Sequence, residues 1–288
     1  MARLKAVIEA VAASLADSDV VYGHGTDNAW DEAVALVLGV TGYSDDSANL
    51  GFEVDSDHEK KIHSLLHRRI SERIPMAYLL GECAFAGHRF HIETGVVIPR
   101  SPIAELISVR FKPWLSQAPE TIVDLCCGSG CIGIAAALEF PDSHLTLVDL
   151  DPKAVAVAGR NAARHGLVER TNIVQSDLFD SVIAGRFDLI VSNPPYVAAQ
   201  DMVSLPEEYA HEPELGLAGG PDGLDLLRRI LDVLPERQSE GGLFVGEVGM
   251  SAAALLAAFP DLPFIWPDLI SGGAGVFILP AGWDILRD

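Results

Sequence analysis

From Thr121 onward, apolar runs typical of strands alternate with helical patterns, and this alternation limits the possible fold more than any other feature. The predicted strands are residues 121–125, 145–149, 172–175, 187–192, 242–247 and 275–279, with helices at 132–140, 152–165, 223–234 and 251–258. Strands connected by helical crossovers form a parallel sheet covered by helices on both faces. The sequence therefore predicts a doubly wound α/β domain.

Before residue 75 the spacing of apolar residues is helical. Helical patterns cover residues 3–16, 28–39 and 57–73 with no strand signal between them, and short apolar runs flank Gly87. We therefore predict a helical domain of residues 1–74, a β-hairpin linker of residues 75–105 and the sheet domain of residues 106–288. The apolar residues near the N-terminus have helical spacing, which favours an amphipathic helix over a signal peptide or a membrane span.

Charge and cysteine content narrow the function classes. A formal net charge of -21 disfavours a general nucleic-acid binder, since phosphate neutralisation needs a basic surface. It fits a basic partner, or simply solubility. Three of the four cysteines are Cys126, Cys127 and Cys131, which is neither a disulfide framework nor a paired Cys-x-x-Cys zinc site. We expect reduced thiols in a cytoplasmic protein, and no metal site.

A glycine-rich loop follows the first strand of the predicted sheet, in "VDLCCGSGCIGIAAALEF". Gly128, Gly130 and Gly133 lie at the turn into a helix, where glycine permits a tight turn and a close approach of backbone to ligand. Asp149 ends the second strand 21 positions after Gly128, where a carboxylate can accept both hydroxyls of a ribose. This matches the dinucleotide-binding pattern, but the pattern alone is weakly specific.

Three features favour S-adenosylmethionine over a dinucleotide. Asp124, four residues before Gly128, would repel a diphosphate and attract an ammonium group. In "QSDLFD", Asp177 can accept a hydrogen bond from an adenine amino group, and Leu178 can cover the adenine ring. The fourth strand ends at residues 193–196, and ligands of open α/β sheets bind at the carboxyl ends of strands.

Each feature also has a structural interpretation. Asp124 could cap the following helix, Asp149 and Asp177 could be ordinary loop acids, and Gly133 could ease helix packing. Their occurrence in the right order on successive strands favours the cofactor site.

The tetrapeptide Asn-Pro-Pro-Tyr indicates a specific chemistry. An amide nitrogen is a poor nucleophile because its lone pair is delocalised, so a site must hold it in line with the methyl donor. The Asn193 side-chain oxygen and the Pro194 carbonyl can accept its two N–H bonds, and proline leaves nearby carbonyls free because it has no N–H. Tyr196 would lie against the planar amide and exclude water. Catalysis would then be positioning and electrostatics, without a strong general base.

The chain resembles the class I S-adenosylmethionine-dependent protein glutamine-N5 methyltransferases. The resemblance covers nearly the whole chain and rests on "RIPMAYLLGECAFAG", a "PR" loop, "NPPYV" and "EPELGLAGGPDGLD". Release-factor enzymes of this family carry a "PRPxTE" loop. Residues 99–106 instead read "PRSPIAEL", which is similar to the branch that methylates a glutamine of a large-subunit ribosomal protein. A release factor stays the alternative substrate.

The resemblance implies a Rossmann-like seven-stranded sheet whose last strand is antiparallel, with a helical N-terminal domain that helps to recognise the protein substrate. With the residues argued above, the expected S-adenosylmethionine site consists of Asp124, Cys127, Gly128, Ser129, Gly130, Cys131, Asp149, Leu150, Asp177, Leu178 and Asn193. The expected substrate site consists of Arg100, Asn193, Pro194, Pro195 and Tyr196, among which Asn193, Pro194 and Tyr196 are catalytic. Arg100 is expected near the active-site mouth, or else in a surface salt bridge.

Three rival functions share parts of this pattern. An adenine DNA methyltransferase would use the same loop, but the chain shows no basic stripe and is strongly acidic. A nicotinamide dehydrogenase would explain only the glycines and Asp149. A non-catalytic cofactor-binding or ribosome-assembly protein would have no need of Asn193 and Tyr196. The sequence therefore favours a methyltransferase acting on a basic ribosomal protein, with no nucleic-acid substrate and no membrane.

Overall fold

The computed structural model describes residues 2–44, 51–182, 185–270 and 275–283. The chain forms two compact units. The first comprises the residues up to Cys83 together with Ile92–Thr94 and Pro206–His211. The second comprises Ala84–His91, Gly95–Leu205 and the residues from Glu212 onward. The predicted domain boundaries at residues 74 and 105 stay predictions.

The first unit is built from helices with apolar faces. They are α1 (Leu4–Ala16), α2 (Ala29–Thr41), α3 (Ser56–Ser71) and α4 (Met76–Leu80), with two short antiparallel strands, β1 (Ala2–Arg3) and β2 (Glu53–Val54). Asn28 and Asp55 cap α2 and α3 by accepting backbone N–H bonds, which satisfies donors that a helix start leaves free. The three predicted helices are therefore present. The paired strands β1 and β2 carried no strand signal, because each is only two residues long.

A buried ion-pair cluster lies within this first unit. The Arg69 side chain is 1% exposed, and its Nε donates to Glu32 Oε1 at 2.6 Å. Its Nη1 donates to Glu208 Oε1 at 3.1 Å, and its Nη2 donates to the Val21 carbonyl. The segment around Glu208 is distant in sequence from the helices, so this cluster fixes it to the unit.

The second unit contains a single large sheet with helices. Its elements are α5 (Ile103–Ser108), β5 (Thr121–Leu125), α6 (Cys131–Glu139), β6 (His144–Asp149), α7 (Pro152–Arg164), β7 (Thr171–Gln175), β8 (Phe187–Ser192), α8 (Ala199–Met202), α9 (Asp225–Arg237), β9 (Gln238–Glu247), α10 (Ala252–Ala258) and β10 (Val276–Pro280). The predicted hairpin around Gly87 is also present, as β3 (Glu82–Phe85) and β4 (His88–His91).

The strand order of the sheet is β10-β9-β8-β5-β6-β7. All neighbours are parallel except β10, which runs antiparallel to β9. The mixed α/β class and the antiparallel last strand are confirmed. The count of seven strands is not: the described residues give six strands, and beside β10 there is only an isolated antiparallel bridge between Ile265 and Ile278.

The core of the second unit explains why its central strands have little polar character. Val123, Ile190 and Phe244 lie at the centre of β5, β8 and β9 and are completely buried. Strands covered on both faces are apolar over most of their length, which is why the sequence signal was strong here. Among the residues that the structure describes, no helix combines the length and hydropathy needed to cross a bilayer.

Candidate active site

The candidate site lies at the carboxyl edge of the parallel strands. Strand register pairs Leu125 with Val148 on one side and with Ser192 on the other, and Ser192 with Gly246. The segments that follow β5, β6, β8 and β9 therefore leave the sheet at the same edge. In an open α/β sheet this edge is where ligands bind.

The glycine loop after β5 is fixed by left-handed backbone and by a carboxylate. Cys126, Gly128 and Gly130 have φ values of 57°, 56° and 77°, a region that favours glycine. The Gly128 N–H donates to Asp149 Oδ2 at 2.8 Å, and the Asp151 N–H donates to Asp149 Oδ1 at 2.9 Å. Asp149 therefore orients the loop backbone from the end of the neighbouring strand.

Asp124 lies beneath this loop and is 1% exposed. Its Oδ2 accepts from the Gly133 N–H at 2.8 Å, so the helix-capping interpretation is confirmed for this oxygen. Its Oδ1 is buried and has no hydrogen-bond partner among the described residues. Burial raises the pKa of Asp124 to about 8, and the charge of Asp149 adds to the shift although the Gly133 bond opposes it. A nearby cation would stabilise the ionised form.

Gly133 is required for close packing rather than for a turn. A Cβ at this position would lie 2.8 Å from both the Asp124 Cβ and the Leu147 Cδ2. The glycine therefore lets α6 approach β5 and β6 closely, which agrees with the packing interpretation of this residue.

The cysteines of the loop are reduced thiols. Cys126, Cys127 and Cys131 form no disulfide, and burial raises the pKa of the Cys126 and Cys127 thiols. Neutral buried thiols are unreactive, so they contribute shape rather than nucleophilicity. Ser129 Oγ is buried without a hydrogen-bond partner in the described ranges. Within those same ranges, no group of three or more His, Cys, Asp or Glu side chains could hold a metal ion.

The segment after β7 has a partner that the sequence did not predict. Asp177 Oδ1 forms an ion pair with Arg229 Nη2 of α9 at 3.0 Å, and both side chains are partly exposed. Leu178 has a φ of 49° and is packed into the core at 7% exposure, whereas Leu150 is 49% exposed. Arg229 could not be recognised because cationic residues on amphipathic helices usually face solvent.

The Asn-Pro-Pro-Tyr loop after β8 presents two acceptors. Asn193 Oδ1 is buried and has no hydrogen-bond partner among the described residues. The Pro194 carbonyl likewise accepts no hydrogen bond from the part of the chain that the structure describes. An unsatisfied buried acceptor is costly and uncommon, so Asn193 Oδ1 suits a ligand with N–H groups, and the Pro194 carbonyl on the same loop offers a second acceptor.

Glycines pack around Tyr196. A Cβ on Gly249 would lie 2.5 Å from the Tyr196 ring, and a Cβ on Gly219 would lie 2.7 Å from the Tyr196 Cα. Gly223 approaches the Tyr196 carbonyl, which also accepts from Ser251 Oγ at 2.9 Å. The segment "GLAGGPDG" therefore supports the loop, because at Gly219 and Gly223 no residue with a side chain would fit.

Arg100 has a buried partner. Its Nη1 and Nη2 donate to the two carboxylate oxygens of Glu212, each at 2.6 Å. The Glu212 side chain is completely buried, whereas that of Arg100 is 23% exposed. Arg100 is thus held in a bidentate salt bridge, which fixes the loop that carries it more firmly than a surface pair would.

Sequence reasoning missed Glu247, which ends β9 beside the Asn-Pro-Pro-Tyr loop. Glu247 is 5% exposed, its Oε1 accepts from Tyr196 Oη at 3.0 Å, and its Oε2 accepts from Ser101 Oγ at 2.5 Å. Burial raises its pKa, although both hydrogen bonds and Arg100 act in the opposite direction. The available signal was an acidic residue at the end of a long apolar strand.

Comparison with known proteins identifies the family. The "Methyltransferase small domain" family model matches residues 111–209. The ribosomal protein uL3 glutamine methyltransferase of Francisella tularensis subsp. tularensis is 44% identical over 91% of this chain and 85% of its own length. That of Bordetella pertussis is 43% identical over 96% of this chain and 94% of its own length. The chain belongs to this family of glutamine methyltransferases. The predicted family, its ribosomal-protein branch and the enzyme class are confirmed.

A solved structure supports the fold of this methyltransferase independently. The catalytic domain of hMettl16, in complex with MAT2A 3'UTR hairpin 1, aligns with a TM-score of 0.54 at 13% identity. The alignment covers 86% of this chain and 91% of that chain. At this identity the likeness concerns the fold alone.

Proposed function

We propose that this methyltransferase transfers a methyl group from S-adenosylmethionine to the side-chain nitrogen of a glutamine in ribosomal protein uL3. The carbon–sulfur bond of the donor breaks as the nitrogen–carbon bond forms, and the products are N5-methylglutamine, S-adenosylhomocysteine and one proton lost from the amide nitrogen. The observation that carries the proposal is the buried, unpartnered Asn193 Oδ1, which lies on the loop after β8 in a chain similar to uL3 glutamine methyltransferases.

The residues around the glycine loop fit the methyl donor. Asp124 Oδ1 and Ser129 Oγ are buried polar atoms without partners in the described ranges. The carboxyl groups of Asp124 and Asp149 lie close enough to influence each other's charge, so this part of the site favours a cation. In our proposal Asp124 attracts the donor's ammonium group, Asp149 accepts from the ribose hydroxyls, and Gly128 and Gly130 allow close approach. The remaining proposed contacts of the donor are Cys127, Cys131, Leu150, Asp177, Leu178 and Asn193. When bound, the donor supplies an electrophilic methyl group on sulfur.

The substrate side of the proposal assigns each clamp residue a task. Asn193 Oδ1 and the Pro194 carbonyl accept the two N–H bonds of the glutamine carboxamide, which holds its nitrogen and favours pyramidal geometry. Pro195 keeps the loop extended, and Tyr196 covers the planar carboxamide and excludes water. Holding a reactant in a near-attack geometry can supply about 7–11 kcal/mol of a barrier.

Partner recognition follows from charge. A net charge of -21 would speed association with a basic ribosomal protein and disfavour nucleic acid. We propose that the helical N-terminal region contributes to recognition of the protein substrate, that Arg100 lies at the active-site mouth, and that the enzyme acts in the cytoplasm. A membrane has no role in this proposal.

The test uses purified enzyme with labelled S-adenosylmethionine and, in separate reactions, uL3, a peptide chain release factor and duplex DNA. We expect label in uL3 alone, and mass spectrometry should place a single methyl group on a glutamine side chain. Label in the release factor instead of uL3 would show that the release factor is the substrate and would contradict the proposal. Label in DNA, or in no acceptor, would overturn the proposal.

A further inference from the structure

Glu247 forms part of a hydrogen-bonded relay that the known motifs do not include. Arg100 and Ser101 are adjacent in the loop before α5; Arg100 is held by Glu212, and Ser101 Oγ donates to Glu247 Oε2. The other oxygen of Glu247 accepts from Tyr196 Oη. One buried carboxylate therefore connects this loop to the Asn-Pro-Pro-Tyr loop.

The chemistry of the carboxylate decides what this connection can do. An ionised carboxylate only accepts hydrogen bonds, so Glu247 accepts from both hydroxyls at once when it is charged. The bond from Tyr196 Oη holds the ring at its far end, and Gly249 packs close to the ring atoms Cδ2, Cε2 and Cζ. A ring held at its hydroxyl and packed closely against Gly249 has little freedom to swing away from a bound carboxamide.

We infer that Glu247 is a positioning residue for methyl transfer: it holds Tyr196 against the glutamine carboxamide and ties that ring to the loop carrying Arg100 and Ser101. This inference rests on the proposed function and deepens it. Glu247 acts through Tyr196 and touches neither reactant. It should therefore affect turnover more than the affinity for either reactant.

Protonation gives the inference a pH signature. The groups that act on Glu247 are the Tyr196 hydroxyl, the Ser101 hydroxyl and the Arg100 guanidinium. Burial raises the pKa of Glu247, so the carboxylate gains a proton at a higher pH than an exposed glutamate does as the pH falls. A protonated carboxyl donates through one oxygen, so it can no longer accept a full-strength bond from both hydroxyls, and one of these two bonds must reverse its direction or break.

The decisive experiment compares Glu247→Gln with Glu240→Gln, an exposed residue on the same strand. At saturating donor, we expect Glu247→Gln to lower kcat roughly 10- to 100-fold while the KM for uL3 and for the donor changes by less than about threefold. In the wild type, kcat should fall at low pH as Glu247 gains a proton, and this acid limb of the pH profile should weaken or disappear in Glu247→Gln. Glu240→Gln should keep the wild-type rate and profile.

A double-mutant cycle separates positioning from a general structural role. If Glu247 acts through Tyr196, Glu247→Gln should add little to the loss caused by Tyr196→Phe, and Ser101→Ala should give a smaller loss of the same kind. Additive losses, or a wild-type kcat and acid limb in Glu247→Gln, would overturn the inference. Wild-type activity on uL3 tests the proposed function separately. If Glu247→Gln does not fold, Tyr196→Phe and Ser101→Ala still decide the matter: unchanged kcat and acid limb in both would overturn it.

Discussion

The loops after β5 and β8 start at neighbouring strand ends but gain their rigidity in different ways. The glycine loop takes its shape mainly from left-handed residues of its own, at Cys126, Gly128 and Gly130, with Asp149 of the next strand as a side-chain support. The Asn-Pro-Pro-Tyr loop is supported by residues remote in the sequence. Val197 exchanges backbone hydrogen bonds with Leu217 and Gly219, and other segments hold Tyr196. The conformation of the glycine loop can therefore be predicted from its own sequence, whereas the support of the Asn-Pro-Pro-Tyr loop can be seen only in the tertiary structure.

The largest expected effect on turnover concerns the Asn-Pro-Pro-Tyr loop. Asn193→Ala should lower kcat roughly 10²- to 10³-fold, because it removes an acceptor aimed at the substrate amide. Donor affinity, measured by calorimetry, should change little. Asn172→Ala, on an exposed position of β7, is the control. Unchanged turnover in Asn193→Ala would remove this residue from the mechanism.

The next prediction tests whether residues remote in the sequence support the Asn-Pro-Pro-Tyr loop. Gly249→Ala places a Cβ 2.5 Å from the Tyr196 ring and should lower kcat roughly 10- to 100-fold by moving the ring. Gly241→Ala has a comparable left-handed φ but no atom within 4 Å of the added Cβ. It should cost about 1–2 kcal/mol of stability and leave kcat unchanged. Equal kcat values in the two variants would contradict remote support.

A smaller effect is expected at the glycine loop. Gly133→Ala forces a Cβ within 2.8 Å of Asp124 and Leu147, which should lower the free energy of unfolding by about 1–3 kcal/mol and weaken donor binding. Gly159→Ala, inside α7, meets only Ile173 at 3.5 Å and should stabilise the protein by about 0.5–1 kcal/mol. Chemical denaturation measures both. An unchanged free energy of unfolding in Gly133→Ala would show that the close packing of α6 on β5 and β6 is not required.

The last effect is measured in protons rather than in turnover, and it concerns the ionisation of Asp124. Because its pKa is about 8 in the fold and 3.8 when exposed, the folded chain keeps a proton that the unfolded chain has lost. The free energy of unfolding should therefore fall as the pH rises from about 4 to about 8, and Asp124→Asn should reduce that fall. At pH 7, a cationic donor should release about one proton from Asp124. Calorimetry in buffers of different ionisation enthalpy should detect this release in wild type but not in Asp124→Asn; equal release in both would contradict the assignment.

The fold was predictable where local pattern and burial agree. The strands of the large sheet were predicted to within a few residues, and the central strands most clearly, because a strand covered on both faces is apolar over most of its length. The seventh strand was expected from resemblance alone, and the part of the chain that the structure describes has only the Ile265–Ile278 bridge beside β10. The short strands β1 and β2 were missed because two residues carry no periodicity.

The candidate site was predictable only in part. The glycines, Asp149 and the Asn-Pro-Pro-Tyr loop carry recognisable motifs, and the sheet brings them to one edge. Arg229 and Glu247 were missed, since an arginine on a helix and an acid at a strand end are common in any protein. Their significance comes from which side chains they meet, and that depends on contacts between distant segments.

The sequence by itself determined the α/β class, the family and the position of the methyl-transfer motif, because periodicity and motif spacing are local properties of the chain. Tertiary structure alone decided that Glu212 holds Arg100, that Glu247 holds Tyr196 and Ser101, and that Asp124 is buried. The physical reason is that burial and hydrogen-bond partners are set by the segments that pack together. A carboxylate in water and one buried between two hydroxyls are the same letter in the sequence.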